Sequence, residues 1–455
     1  MIFWNYLHIL GGIAFNWFDS FLDTFALSVA APLLLLVSVY FSWKIRWPQF
    51  TKFREGLRYI VSRTDKEKKM SSFAAVATII GGNLGTGTIV GTAIAVSTGG
   101  PGAIIWMMVI AILCSIIKLC CSSLGVLFDE EQKGGRRIGG PMFYISKGLH
   151  SKILAIIYSI FLVGAAITVG NLVQVNSFVT SFGKDFQYKW VLIAILAIPV
   201  AFILFGGLKR FAKFMSCIVP IMGVIYMIAC VIGIFNLRSN FPNAIKQIIL
   251  GAVGINSIVG GTFGFILSNA ISSGIRRGLF ATDIGLGLAG IAHSNVDSHV
   301  DDSALHAKQQ GIVALVAPIF VAGICAVTGT LIVCAEPNMA LDGSKICTST
   351  FNKAFGTEHA EIFVQTIVYC FALTTILAWA WFAEHSFYFV RKGRLCTLFK
   401  IATVLIIPIG VLMDSKLPWK LADFFVDGLL LTNVVSIFLL RKHVLQLMSP
   451  NKQEI

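Results

Sequence analysis

Five glycines, Gly81, Gly82, Gly85, Gly87 and Gly91, fall within eleven positions of an otherwise apolar, membrane-length run from Ser71 to Gly102. Each interior Gly costs a helix roughly 1 kcal/mol relative to Ala, so the pattern argues for a backbone meant to open. Open backbone at membrane depth is tolerated only inside protein or along a polar cavity. Its chemistry is recognition without charged side chains: amides at a half-helix start attract a carboxylate, and freed carbonyls attract an ammonium or a small cation. The amides of Thr86 and Gly87 are the candidate carboxylate donors. Gln174, within the apolar GNLVQVNS, is a second candidate, because an amide in a membrane helix is costly unless it meets partners in the bundle or in a ligand. Asn171 and Asn176 beside it fit the commoner role of interhelical glue. A coupling cation also needs oxygen ligands, which carbonyls of the open segment and hydroxyls of a facing helix can supply. Adjacent Thr374 and Thr375 carry hydroxyls, although on their own they are explained by bonds within their helix. Trp379 offers an apolar wall to a pocket, or ordinary aromatic packing.

The elements that must position these residues are membrane helices. The chain is 56% hydrophobic and 13% charged, with a mean hydropathy of +0.82, well outside soluble averages. Apolar runs of spanning length lie near 25–43, 72–96, 103–127, 153–181, 190–206, 213–235, 248–272, 311–334, 362–388, 397–413 and 422–440, eleven in all. Nine Lys and Arg residues crowd the first connection between Lys44 and Lys69. Further basic groups follow in alternate loops: Lys133, Arg136, Arg137 and Lys147; Lys209, Arg210 and Lys213; Arg276, Arg277 and Lys308; Arg391, Lys392 and Arg394; then Arg441 and Lys442. Cytoplasmic loops are the ones enriched in such residues, so the expected N-terminus is outside and the C-terminus inside a plasma (inner) membrane. The net charge of +14 reads as topology and attraction to the lipid bilayer, with no nucleic acid as partner. The opening MIFWNYLHILGGIAFNWF lacks a basic n-region and a clear cleavage site, so no signal peptide is expected there. Ten scattered cysteines without a CxxC pair imply neither a disulfide framework nor a zinc site.

A second glycine-interrupted run, GAVGINSIVGGTFGFILSNAISSG, follows five spans after the first, with its break expected at Gly260, Gly261 and Gly264. An odd offset inverts the element relative to the membrane, the mark of an inverted repeat. Glycines that merely let helices approach closely are the simpler alternative. The resulting division is an N-terminal arm, accessory helix and basic loop (1–70), two five-helix repeats (71–236 and 237–441) and a tail (442–455). Thr262 and Gly264 enter the expected pocket by symmetry and small size.

The blocks GNLGTGTIVGTAIAVSTGGPGAIIWM, GGPMFYISKGL, VGNLVQVNSF, GIRRGLFATDIGLG and TTILAWAWFAE, in this order from Ser71 to Glu384, resemble the alanine or glycine:cation symporters. These are also called sodium:alanine symporters, of the amino acid-polyamine-organocation superfamily. The resemblance implies an all-α membrane fold of about eleven helices: a LeuT-type 5+5 inverted repeat with two discontinuous helices and one accessory N-terminal helix. It implies sodium as the coupling ion, no other cofactor, and a small neutral amino acid as substrate. By the same resemblance Thr86 and Gly87 lie in the superfamily's Gly-x-Gly pattern at the substrate carboxylate, and Gln174 matches a substrate-reaching Gln. Thr374 and Thr375 match a hydroxyl pair that ligates the ion together with backbone oxygens, here those of Gly81 and Leu84.

Three departures bear on ion identity and selectivity. Thr88 stands where the family's Gly-Thr-Gly-Asn motif has Asn, Lys118-x-x-Cys121 replaces a common Lys-x-x-Glu, and Phe320-Val321-Ala322 replaces Ile-Asp-Thr. The segment holding His293, Asp297, His299, Asp301, Asp302 and His306 has four-residue spacings that would suit a metal or a pH sensor, but reads first as a solvated cytoplasmic connector. The leading function is a symporter importing alanine or glycine. The alternatives are a proton-coupled transporter of another small amino acid and a non-transporting amino-acid receptor. No GxSxG, HExxH or paired catalytic carboxylate appears in the spans, and Asp283 and Glu384 are isolated, so an enzyme is not expected.

Overall fold

The computed structural model describes residues 26–61, 70–132, 137–182, 188–253, 263–297, 302–341, 343–356, 359–393, 395–413 and 416–449. The bundle is helical, with one two-residue ladder pairing Glu130–Glu131 with Arg137–Ile138. In chain order the helices are α1 (Ala31–Lys44), α2 (Pro48–Thr51), α3 (Phe53–Val61), α4 (Ser72–Asn83), α5 (Thr86–Gly99), α6 (Ala103–Leu127), α7 (Pro141–Gly148), α8 (Lys152–Ser181) and α9 (Lys189–Leu204). There follow α10 (Gly207–Asn236), α11 (Phe241–Val253), α12 (Phe263–Thr282), α13 (Leu288–Ser294), α14 (Ser303–Ala335) and α15 (Gly343–Phe355). The last four are α16 (His359–Arg391), α17 (Cys396–Leu412), α18 (Lys416–Leu439) and α19 (Arg441–Met448).

Six of these helices are long and apolar enough to cross a membrane, and α4 with α5, bent by 45°, makes a seventh. Ser28–Lys44, α9 and α17 are shorter apolar helices. The seventh expected segment, 248–272, is placed differently. Helix α11 ends at Val253, and Gly251 packs on the backbone of Gly102 in the turn between α5 and α6. A separate helix, α12, then runs to Thr282. The break expected at Gly260 and Gly261 lies outside the described residues, as does Thr262.

Burial separates the inner helices from the lipid-facing ones. The apolar windows of α14, α6 and α16 are 72%, 67% and 67% buried, against 33% for α10 and 39% for α18. Large exposed apolar side chains line α9 (Trp190, Ile198, Phe202), α10 (Ile221, Ile228, Phe235) and α17 (Leu398, Leu405, Leu412), as an acyl-chain solvent requires. Small residues set the closest helix approaches. A Cβ at Gly274 would lie 2.7 Å from the carbonyl of Ala103, and one at Gly125 would lie 2.5 Å from the carbonyl of Gly290. This is how membrane helices gain packing when apolar burial no longer favours association.

Candidate functional site

Helix α4 begins on a cap, with Ser71 Oγ accepting from the amide of Ala74 at 3.1 Å, and ends at Asn83. Leu84 and Gly85 leave helical geometry, and α5 restarts at Thr86. The opening is held by side chains. Thr88 Oγ1 donates back across it to the carbonyl of Asn83 at 2.5 Å. Thr88 thus braces the break where the family pattern has an amide.

Two long helices close on this opening. Gln174 Oε1 accepts from both the amide (3.0 Å) and the hydroxyl (3.1 Å) of Thr86, while Gln174 Nε2 donates to the carbonyl of Val169 at 3.0 Å. That carbonyl lies in a π-helical turn, Thr168–Leu172, within α8. Such a turn disturbs the ordinary i→i−4 ladder and leaves carbonyls for side chains. From α16, Thr375 Oγ1 reaches the carbonyl of Gly81 at 3.1 Å. Thr374 instead donates to carbonyls of its own helix, Cys370 and Phe371, each at 3.1 Å. Trp379 is fully buried against Gly170, and its indole Nε1 has no hydrogen-bond partner among the described residues. Gly85 is the point where these groups converge. A Cβ there would stand 2.7 Å from Thr375 Oγ1 and 2.9 Å from Gln174 Oε1.

The structure therefore brings together Gly81, Leu84, Thr86, Gln174, Thr375 and, through the π-helical turn, Trp379. The Cα of Gly87 packs on the ring of Phe280, which an added Cβ would approach to 2.6 Å, while its amide lies in the first turn of α5. Gly264 is not brought to the break. It lies sixteen residues before Phe280 on α12, roughly 24 Å along a helix rising 1.5 Å per residue.

A second interruption, which the glycine pattern did not point to, faces the first. Between α12 and α13 the chain turns through Asp283 (φ 47°), Gly285 (φ 90°) and Gly287 (φ 88°). Asn83 Nδ2, at the end of α4, donates to the carbonyl of Thr282 at 3.0 Å and ties the two breaks together. Tyr158 OH donates to the carbonyl of Leu286 at 2.7 Å, and Asn433 Nδ2 to that of Gly285 at 2.6 Å. Tyr144 OH in turn donates to Asn433 Oδ1. A carboxylate inside an apolar run was the available signal.

The histidine and aspartate segment is a solvated connector only in part: Asp302 is exposed, but the two ends of the segment fold inward. His293 and His306 are buried, the first paired with Gln310 at 2.8 Å, which donates to Ser72 Oγ at 3.0 Å. Asp297 and Met70 exchange two hydrogen bonds of 3.2 Å, so the segment grips the foot of α4. Asp302 caps α14 through the amide of Ala304, and His299 and Asp301 lie outside the described residues. Among the described residues no group of three His, Cys, Asp or Glu side chains is placed to hold a metal ion.

A broken helix tied to a second chain corner inside a bundle of long apolar helices is an arrangement suited to a membrane transporter, and comparison with known proteins gives that class. The chain belongs to the sodium:alanine symporter family, which it matches over residues 13–454. It is 32% identical over 427 residues to an uncharacterized transporter of Haemophilus influenzae, covering 91% of this chain and 92% of that one. It is 29% identical over 411 residues to the amino-acid carrier protein AlsT of Bacillus subtilis (90% and 86% covered). Identity to the sodium/alanine symporter AgcS of Methanococcus maripaludis is 28% over 423 residues (90% of each). The protein is a multi-pass, cation-coupled amino-acid transporter and not an enzyme.

Proposed function

We propose that this chain imports alanine, glycine or a similarly small neutral amino acid, coupled to sodium, by alternating access about the break between Gly81 and Thr86. One observation carries the reading: a single oxygen, Gln174 Oε1, accepts from both donors of Thr86 at the start of α5, while Thr375 holds the carbonyl of Gly81 across the break. A helix start attracts anions, so a substrate carboxylate oxygen is expected where Gln174 Oε1 now sits, with the Gln174 amide turning to donate to it. The ion ligands on this reading are the carbonyls of Gly81 and Leu84 and the hydroxyls of Thr375 and Thr374. Thr374 would first have to release its own helix carbonyl. Trp379 walls the substrate pocket.

Element order supports a repeat. The series of broken helix, long helix, short connector, long helix, short apolar helix and long helix occurs first in α4/α5 to α10, then again in α12/α13 to α18. The second discontinuity is then Asp283–Gly287 rather than Gly260–Gly264. With the N-terminus outside, Ser239 faces the exterior and Ser449 the cytoplasm. In a background with the ten native cysteines replaced, Ser239→Cys should be labelled on intact cells and Ser449→Cys only after permeabilisation; labelling of both from one side would overturn the orientation.

The coupling test is uptake of labelled alanine and glycine into proteoliposomes with sodium and proton gradients imposed separately. Sodium should drive accumulation. Thr375→Ala should raise the sodium concentration for half-maximal uptake about tenfold, which corresponds to ~1.4 kcal/mol for a lost ligand. Thr374→Ala should shift it less. An unchanged sodium dependence in both variants would remove the pair from the ion site.

A further inference from the structure

Lys118 lies deep in α6, buried, and its Nζ has no hydrogen-bond partner among the described residues. Its own helix supplies no counter-charge, because Cys121, one turn on, spends its thiol on the carbonyl of Lys118 itself. Across the bundle, Asp283 is equally buried, at the left-handed corner after α12, and its Oδ2 also lacks a partner among the described residues. Packing places the two opposite one another. Gly278 lies against Met107 and Gly290 against Cys121, so the corner between them passes along the stretch of α6 that carries Lys118. Each group lies within electrostatic reach of the other. Yet no ion pair joins them among the described residues. Unpaired charge at this depth is costly, and a buried ion pair with incomplete hydrogen bonding does not recover its desolvation. A nearby but unbonded cation leaves the carboxylate able to exist with or without a proton.

We propose that Asp283 is a proton-carrying site of the transport cycle, with Lys118 as its fixed counter-charge. A proton from water on one side of the membrane binds Asp283 Oδ2, Lys118 remains an ammonium, and the pair passes from net zero to net +1. The proton returns to water when the cavity opens to the other side. Coupling to the transport site runs through the backbone. Thr282, the residue before Asp283, receives the Asn83 amide from the first break, so a change of charge at the corner acts on the junction of both interrupted helices.

Other ionisable groups lie on the helices packed about the pair. Cys120 and Cys121 lie on α6, His293 on α13, His306 on α14, Tyr144 on α7, Tyr158 on α8, Arg276 and Arg277 on α12, and Asp427 on α18. Asp423 and Asp427 on α18 are further carboxyl groups, and burial pushes the carboxyl pKa of the partly buried Asp129 up to about 6, so the band is assigned to Asp283 by its loss in Asp283→Asn. The inference rests on the chain being a transporter but not on sodium or alanine.

Difference infrared spectroscopy of the purified protein across about pH 5 to about pH 9 tests it, since that range brackets perturbed carboxylates. The wild type should show the carbonyl stretch of a dry carboxylic acid that disappears as pH rises, and Asp283→Asn should lack it. Lys118→Met should retain the band to higher pH, because no cation then favours the carboxylate. In proteoliposomes at saturating sodium, wild-type uptake should vary with pH, by at most about tenfold per pH unit for one group, and Asp283→Asn should flatten the profile. No titrating band in the wild type, or the same band in Asp283→Asn, overturns the proposal. Should Asp283→Asn fail to fold, an unchanged band in Lys118→Met does so instead. Loss of sodium-driven uptake with the band intact would strike the sodium reading alone.

Discussion

Gly85→Ala abolishes sodium-driven uptake while the protein still folds. The backbone at Gly85 (φ −90°, ψ −171°) is extended and open to any residue, so conformational strain is not the reason. Contact is. The added methyl would lie 2.7 Å from Thr375 Oγ1 and within 3.2 Å of both polar atoms of the Gln174 amide. Thr375 is β-branched and stiff at χ1, and the Gln174 amide is held by Thr86 and Val169, so neither side chain can swing aside cheaply. Overpacking of this kind costs about 1–3 kcal/mol, which a large helical bundle can absorb. A shift of ~1 Å in groups that must meet a ligand, by analogy with misplaced catalytic groups, costs roughly 10²-fold in turnover. Gly91→Ala is the matched control in the same helix, because its methyl would meet only Arg277 Cδ at 3.9 Å. Uptake and thermal stability in detergent should be measured for both. Wild-type uptake in Gly85→Ala, or equal loss in Gly91→Ala, would show that the break tolerates what the geometry forbids.

The first break was legible because glycine density is a backbone signal, and the 45° bend falls within it at Leu84 and Gly85. The same signal did not point to the corner at Asp283–Gly287, and the break it did point to, at Gly260 and Gly261, lies outside the described residues. Gly260, Gly261 and Gly264 outnumber Gly285 and Gly287, and Arg276 and Arg277 made the following stretch read as a loop. Helix phase was equally hidden. Thr374 and Thr375 are neighbours in sequence but ~100° apart around a helix of 3.6 residues per turn, so one reaches Gly81 while the other bonds within α16. Burial of His293 and His306 depends on the segment folding back on itself, so that His293 meets Gln310 seventeen residues on and His306 meets the carbonyl of Val296 ten residues back. Nothing in the local pattern of charged neighbours records such a meeting.

Removing the Gln174 side chain should weaken amino-acid binding without altering the ion dependence. In Gln174→Ala the amide and hydroxyl of Thr86 lose their shared acceptor inside a buried site. The substrate carboxylate can serve those two donors, so the loss falls on the Gln174 N–H that would donate to it: a hydrogen bond to a charged group contributes about 1.5–3 kcal/mol, equivalent to roughly 10- to 150-fold in apparent affinity for the amino acid. Sodium half-saturation at high amino acid should hold, because the Thr375 to Gly81 bond involves no atom of Gln174. Gln174→Glu separates positioning from simple loss. It keeps the length of the side chain and an acceptor for Thr86, so a purely structural role predicts nearly normal uptake. If the substrate carboxylate must share those donors, a second carboxylate in the same place repels it, since like charges at one site disfavour joint ionisation. Uptake should then fall further in Gln174→Glu than in Gln174→Ala and recover in part at lower pH as the new carboxyl takes a proton. Wild-type transport by Gln174→Glu at neutral pH would move the carboxylate away from Thr86 and leave Gln174 as a brace for α8 alone.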